Sequence, residues 1–228
     1  MTTRQRRLAL LALFLIVPAP SFGASMALWI APGAVGAFAY SVGKGVLYGL
    51  PLVWHRLLDK ERWSLSLPSQ GGLGVGLALG LFIALVIQLT WYLVGPSLDT
   101  SRITAAVAEN GLDSKAAYLS MCVYFCTVNA ALEEYVFRWF IYSRFRQLMA
   151  AGPAVALAGL AFTAHHVIVL RAFFDWPFAL VGSLGVLVGG LFWSACYARY
   201  KSIWPGYVSH VFADVSILVI GYQILFPA

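Results

Sequence analysis

The sequence predicts an all-α fold, a polytopic transmembrane helix bundle with about seven spans. Of its 228 residues, 61% are hydrophobic and only 11% are charged, and the mean hydropathy is +0.82. The apolar residues are grouped in runs of about 20 or more, the length that an α-helix needs to cross a bilayer. This composition indicates an integral, multi-pass membrane protein rather than a soluble domain with a large core.

The first apolar stretch follows three arginines among the first seven residues and extends to Ile30. A basic start before an apolar run also occurs in secretory signal peptides, so cleavage that removes residues 1–24 is an alternative. The apolar character resumes at once after that position. We therefore predict a retained first span, with a kink at Pro18 and Pro20.

Six further apolar segments complete the predicted bundle. They lie at about residues 32–54, 72–94, 116–140, 153–174, 178–198 and 203–226. The second segment contains Lys44, an intramembrane cation for which the sequence shows no partner. Residues 95–114 hold several charged side chains and predict a loop with a short amphipathic helix.

The basic residues predict the orientation of the bundle. Ten of the fifteen fall on one side of the predicted spans and three on the other, while Lys44 and Arg138 lie within spans. The ten are Arg4, Arg6, Arg7, Arg56, Lys60, Arg62, Arg144, Arg146, Arg199 and Lys201, and the three are Arg102, Lys115 and Arg171. Because cytosolic loops of membrane proteins are enriched in Lys and Arg, we expect a cytosolic N-terminus. The net charge of +6 follows from this topology, and no nucleic-acid partner is predicted.

Two adjacent carboxylates, Glu133 and Glu134, lie inside the fourth apolar segment. Charged groups at membrane depth cost several kcal/mol and are generally kept for function. Arg138 follows Glu134 by four residues, which places the two on one helix face as an ion pair. Glu133 is rotated by about 100° and can face another partner. A purely structural role, as a buried polar contact between helices, is the alternative.

Further ionisable residues lie at apolar depth in later spans. His165 and His166 are in the fifth span, and His210 and Asp214, four residues apart, share one face of the seventh. From the predicted helix ends, Glu133, His166, His210 and Asp214 lie roughly 12–20 Å inside the cytosolic boundary. These side chains can therefore meet at one level of the membrane.

A carboxylate and a neutral histidine can together deprotonate a water, and a second histidine can stabilise an oxyanion. Glu133, His166, His210 and Asp214 are also a plausible ligand set for Zn²⁺, so a zinc-dependent hydrolase remains an alternative. A proton-coupled transporter that uses the buried residues as a relay is a second alternative, although no internal repeat supports it.

The ordered motifs Glu-Glu-x-x-x-Arg, Phe-x-x-x-His and His-x-x-x-Asp, each on its own span, resemble those of the CPBP family. These are the CAAX-processing and bacteriocin-processing intramembrane endopeptidases, also called the Abi family. The matching residues are Glu133, Glu134 and Arg138, then Phe162 and His166, then His210 and Asp214. The resemblance covers about residues 115–226.

The resemblance implies a glutamate-type endopeptidase without a cofactor. Glu133 and His166 would activate the attacking water, and His210 with Asp214 would form the oxyanion hole. Glu134 and Arg138 would fix the fourth helix. We accordingly divide the chain into variable N-terminal spans, residues 1–114, and a protease core in the last four spans, residues 115–228. The expected partners are the lipid bilayer and a membrane protein or lipidated peptide as substrate.

Two positions depart from a simple match to the family. The eukaryotic CAAX-cleaving branch has Asn where this chain has Asp214, whose carboxyl group can donate to an oxyanion only when protonated. Otherwise Asp214 would orient His210. His165 beside His166 makes the second motif ambiguous by one residue, although the spacing from Phe162 selects His166.

Overall fold

The computed structural model describes residues 2–61 and 64–227. Arg62, one of the ten basic residues predicted to be cytosolic, lies outside the described residues. Positions 1 and 63 of the predicted N-terminal part, and position 228 of the predicted core, lie outside them as well. Within the described ranges every regular element is a helix and no strand occurs. The predicted all-α fold is confirmed.

Eleven α-helices make up the described chain. They are α1 (Thr3–Ile16), α2 (Ala19–Ser25), α3 (Ala34–Trp54), α4 (Leu73–Val94), α5 (Ser101–Glu109), α6 (Lys115–Tyr124), α7 (Ala130–Glu134), α8 (Ser143–Leu148), α9 (Ala151–Phe173), α10 (Trp176–Tyr200) and α11 (Trp204–Leu225). Segments of π-helix continue several of them, at Met26–Ile30, His55–Asp59, Phe125–Asn129 and Tyr135–Tyr142, and a 3₁₀ turn at Gly95–Ser97 follows α4. Helix α5 is the short helix expected in the loop.

Six helical segments of the described chain are long and apolar enough to cross a membrane. They are Thr3–Ile30, Leu73–Ser97, Lys115–Leu148, Ala151–Phe173, Trp176–Tyr200 and Trp204–Leu225. The chain is thus an integral, multi-pass membrane protein. The predicted second span corresponds to α3, a 21-residue helix that is not among the six because Lys44 and its glycines lower its hydropathy. The count of seven spans stays a prediction.

The bundle presents a large apolar surface outward. In the most apolar 18-residue stretch of Leu73–Ser97, only 11% is buried inside the protein. The corresponding share for Ala151–Phe173 is 39%. Large side chains on α4 such as Phe82 and Leu85 are more than half exposed. Soluble monomers rarely expose contiguous apolar surface of this extent. Lipid is the medium that can cover it.

Polar contacts gather several chain segments at one end of the bundle. Arg144 pairs with Asp59, with Nη1 3.1 Å from Oδ1. The Ser202 hydroxyl donates to the Ser66 carbonyl at 2.5 Å, and the Ile203 amide donates to the Ser66 hydroxyl at 3.0 Å. The segments after α3, at α8 and at the α10–α11 turn therefore lie together, at the end predicted to be cytosolic.

The opposite end is held by a different set of contacts. Arg102 Nη1 lies 3.5 Å from Asp175 Oδ1, and the Trp29 indole N–H donates to the Ile168 carbonyl at 3.4 Å. Since Trp29 precedes α3 and Asp59 follows it, α3 runs from one end of the bundle to the other.

Small residues let two helix pairs approach closely. A Cβ added at Gly76 of α4 would lie 2.3 Å from the Pro205 carbonyl oxygen of α11. A Cβ at Gly190 of α10 would lie 3.3 Å from the Gly159 Cα of α9. Membrane helices associate through close packing of this kind. These two pairs fix α11 and α9, the helices of the sequence-predicted histidines.

The segment from α6 to α8 is one continuous helix, Lys115–Leu148, of 34 residues, referred to below as the composite helix. Its inner face contributes Phe137 and Phe140 to the buried apolar cluster that Phe162 of α9 and Trp193 of α10 also join. Two π-helical segments bracket Glu133 and Glu134 on this helix. Local π-helical turns are frequent at functional sites.

Candidate active site

Glu134 and Arg138 form a fully buried ion pair on the composite helix. Arg138 Nη2 lies 3.2 Å from Glu134 Oε1, and neither side chain has exposed area. This is the pair that the four-residue spacing predicts. Removing either partner would leave an uncompensated buried charge, which is strongly destabilising. The pair therefore stabilises this part of the composite helix.

Aromatic rings surround the Arg138 guanidinium. Its Cζ lies 4.6 Å from the ring centroid of Phe162 and 5.2 Å from that of Trp193. Cation–π contacts of desolvated groups contribute about 2 kcal/mol. The arginine therefore ties the composite helix to both α9 and α10.

His210 of α11 contacts both carboxylates of the Glu-Glu motif. Its Nδ1–H donates to Glu134 Oε1 at 3.1 Å. Its Nε2 lies 3.8 Å from Glu133 Oε2 and 3.6 Å from Asp214 Oδ1. The ring stacks on Trp193 with centroids 4.3 Å apart. The composite helix and α11 thus meet at a cluster of three carboxylates around one imidazole.

Asp214 lies one turn after His210 and is half-buried. Its Oδ2 is buried and has no hydrogen-bond partner among the described residues. Buried polar atoms in proteins are normally paired, so an unpaired one marks a place where water or a ligand can bind. This oxygen of Asp214 is therefore available to water or a ligand beside His210.

Glu133 is 4% exposed and has two charged neighbours. Its Oε2 is near His210, and its Oε1 lies 3.9 Å from Lys44 Nζ of α3. The Lys44 ammonium donates to the Tyr48 hydroxyl at 3.1 Å, which donates to Asn129 Oδ1 at 3.0 Å. No partner for Lys44 could be predicted from the sequence, and in the fold this residue lies beside Glu133 at the candidate site.

The two histidines of α9 differ in their surroundings. His166 Nδ1–H donates to the Phe162 carbonyl at 2.8 Å, so the neutral ring keeps an unprotonated Nε2. His165 is buried and stacks on Phe137, and its Nδ1 has no hydrogen-bond partner in the described chain. The structure shows no direct ion pair between His166 and Glu133 among the described residues.

The ring of Phe162 connects the three motif helices. Its centroid lies 4.5 Å from that of His166 and 5.8 Å from that of His210, and it also contacts Arg138. The motif residues of α9, α11 and the composite helix are therefore arranged around one aromatic side chain.

Glycine and serine residues hold α11 against the site. A Cβ at Gly206 would lie 2.4 Å from Glu134 Oε2, so only glycine permits this approach. The Trp193 indole N–H donates to the Ser209 hydroxyl at 2.9 Å, which orients the ring that stacks on His210. Sequence reasoning missed Gly206, Trp193 and Ser209, because none is ionisable and no spacing rule pairs them with the motifs.

The residues named for the alternative zinc site do not form one in this arrangement. Within residues 2–61 and 64–227, no three His, Cys, Asp or Glu side chains are placed to hold a metal ion. Nδ1 of His166 donates to a carbonyl and Nδ1 of His210 donates to Glu134, so Nε2 is the ring nitrogen of each that faces the cluster without a hydrogen bond to a described residue. The metal-free mechanism and its zinc-dependent alternative both stay predictions.

Fold and site define the class as a polytopic α-helical membrane protein with a buried cluster of carboxylates and histidines where its helices meet. Residues 115–216 match the family model described as type II CAAX prenyl endopeptidase Rce1-like. The resemblance to the CPBP family is thereby confirmed over this segment. Searches of curated proteins and of solved structures found no match. The family implies a protease that acts on membrane-associated protein substrates.

Proposed function

We propose that this protein is an intramembrane endopeptidase that hydrolyses a peptide bond of a membrane-associated protein or lipidated peptide. The observation that carries the proposal is the contact of His210 with Glu133, Glu134 and Asp214, inside helices that face lipid. Ionisable groups clustered at membrane depth mark functional sites. The Rce1-like match over residues 115–216 indicates which function.

In the proposed mechanism, Glu133 and Nε2 of His166 hold a water between them. Nε2 is the free nitrogen of the His166 ring, since its Nδ1–H donates to the Phe162 carbonyl. Glu133 removes a proton from this water as the oxygen attacks the scissile carbonyl. The same carboxyl group then returns the proton to the leaving amine, which balances the hydrolysis.

The tetrahedral intermediate carries an oxyanion, for which His210 and Asp214 are the proposed donors. A doubly protonated His210 directs Nε2–H toward the space shared with Glu133 and Asp214. A protonated Asp214 can donate through Oδ2, which has no other partner in the described chain. Donors of this kind typically each contribute about 10²–10³-fold in rate.

Glu134 and Arg138 act through their neighbours in this proposal. The fully buried pair anchors the composite helix, and Glu134 accepts from His210 Nδ1 and so fixes the orientation of that ring. We infer that the reaction proceeds without a metal, as the donor arrangement suggests.

The test is cleavage of a quenched fluorescent, prenylated peptide with a CAAX terminus by purified protein in detergent. We expect Glu133→Gln to abolish cleavage while the thermal unfolding transition stays within a few degrees of wild type, since an amide cannot act as base. A fully active Glu133→Gln variant would rule out the mechanism.

A second measurement covers substrates other than this peptide. Membrane-protein termini from cells that produce either wild type or Glu133→Gln are compared by mass spectrometry. New termini that depend on Glu133 would support an endopeptidase, and identical sets together with an uncleaved peptide would refute it.

A further inference from the structure

We propose that Lys44 is a positioning residue for Glu133, supplied by α3 from outside the segment that matches the family model. The inference rests on the proposed function and extends the site to the N-terminal part of the chain. It starts from the 3.9 Å separation between Lys44 Nζ and Glu133 Oε1.

The charges of the cluster indicate why a cation is needed beside Glu133. The two carboxylates that the proposed mechanism leaves ionised, Glu133 and Glu134, both contact His210, while the motif helices provide one permanent cation, Arg138. Arg138 is ion-paired with Glu134 and so compensates the charge of that carboxylate. Like charges at such distances in a low-dielectric interior repel strongly. Lys44 is the cation placed to offset the charge of Glu133.

The ammonium group is held by a defined set of contacts. Lys44 donates to the Tyr48 hydroxyl, one turn along α3, and this hydroxyl donates to Asn129 Oδ1. Asn129 lies one turn before Glu133 on the composite helix. The chain Lys44–Tyr48–Asn129 therefore fixes α3 in register with the helix of the proposed base.

The surroundings of Lys44 leave room for a substrate beside it. The residue lines a partly open cleft of about 410 Å³ between α3 and the composite helix, with aromatic walls from Tyr40 and Tyr124. Its side chain is 24% exposed, against 6% for Glu133. Lys44 thus lies between this cleft and Glu133, where it can orient the carboxylate toward an entering peptide.

Lys44→Met removes the charge and keeps most of the apolar stem. With the prenylated peptide as probe, we expect kcat to fall about 100-fold, as for a misplaced catalytic group, with KM changed less than about twofold. Lys44→Arg restores the cation and should recover kcat to within about tenfold of wild type. Lys115→Met, at the exposed start of α6, is the matched control and should behave as wild type.

Tyr48→Phe gives an independent reading if Lys44→Met fails to fold. It removes the hydroxyl that holds the ammonium and leaves the ring in place, so kcat should fall about tenfold at unchanged KM, the loss expected for weaker positioning. Wild-type kinetics in Lys44→Met or Tyr48→Phe, a change in KM alone, or no recovery in folded Lys44→Arg would overturn the inference. If Glu133→Gln is inactive while Lys44→Met matches wild type, only this inference fails. Full activity in Glu133→Gln would remove the proposed function as well.

Discussion

Glu133 and Glu134 are neighbours in sequence with different surroundings. Glu134 is fully buried between Arg138 and His210, whereas Glu133 faces Lys44 and the Nε2 side of His210 without a hydrogen bond from either. The helical rotation between adjacent residues produces this division. Glu134 is thereby held between two partners, and Glu133 is the carboxylate that we propose as the base.

Arg138 should be the most sensitive of the site residues with respect to folding. Arg138→Met leaves Glu134 as a buried charge whose ion-pair partner is gone, which costs about 3–5 kcal/mol. We expect a corresponding loss in the free energy of unfolding, measured by denaturant titration in detergent. Arg199→Met, at an exposed arginine, should change it by less than about 0.5 kcal/mol. Equal stability of both variants would contradict the role assigned to the buried pair.

Asp214 gives a test of the proposed oxyanion hole. Asp214→Asn replaces the carboxyl group by an amide of equal size that donates without needing a proton, so cleavage should persist within about tenfold of wild type. Asp214→Ala removes the donor, and kcat should fall about 10²–10³-fold. Initial rates with the prenylated peptide compare the two. An inactive Asp214→Asn beside an active Asp214→Ala would exclude the donor role.

The site residues predicted from spacing are those whose partners lie on the same helix face. The Glu134–Arg138 pair and the shared face of His210 and Asp214 follow from four-residue separations and are present in the structure. Their catalytic roles stay predictions. The partner of Lys44 could not be predicted, because the contact joins α3 to the composite helix across 89 residues of chain and no local pattern encodes it.

At the scale of helices, the lengths were easier to predict than the internal geometry. Apolar runs indicated the span positions, and the composite helix continues to Leu148, beyond the apolar segment at about residues 116–140. Its π-helical segments could not be predicted, because an apolar run that indicates a span carries no signal for a local change to i→i+5 hydrogen bonds.

Gly206 tests whether the contact between α11 and the composite helix supports the site. Gly206→Ala would place a methyl group 2.4 Å from Glu134 Oε2, and overpacking of this kind costs about 1–3 kcal/mol. We expect a lower unfolding temperature and reduced cleavage, because His210 moves with α11. Gly185→Ala is the control, since a Cβ there meets nothing within 4 Å. Equal effects of the two substitutions would refute the packing argument.

The whole molecule combines a segment with Rce1-like sequence, residues 115–216, with N-terminal helices outside the match. The two parts are not independent in space. Asp59 pairs with Arg144, Tyr48 bonds to Asn129, and Lys44 approaches Glu133. Helix α3 and the segment after it therefore pack on the Rce1-like segment, and the division at residues 114 and 115, within one membrane domain, stays a prediction.

Helix α3 decides the topology, and its crossing can be measured directly. Trp29, before α3, contacts Ile168 at one end of the bundle, and Asp59, after α3, pairs with Arg144 at the other. Helix α9 begins soon after Arg144 and carries Ile168 near its far end. Since α9 is long and apolar enough to cross a membrane, α3, which runs between the same two ends, must cover the same depth. We therefore expect seven crossings with a cytosolic N-terminus, as the basic residues predict.

A protease site inserted after residue 60 of the full chain should be cut from the cytosolic face of oriented vesicles, and one inserted after residue 32 should be cut only from the opposite face. Cleavage of both insertions from one face would show that α3 does not cross, and the ten-to-three distribution of basic residues would then need another explanation.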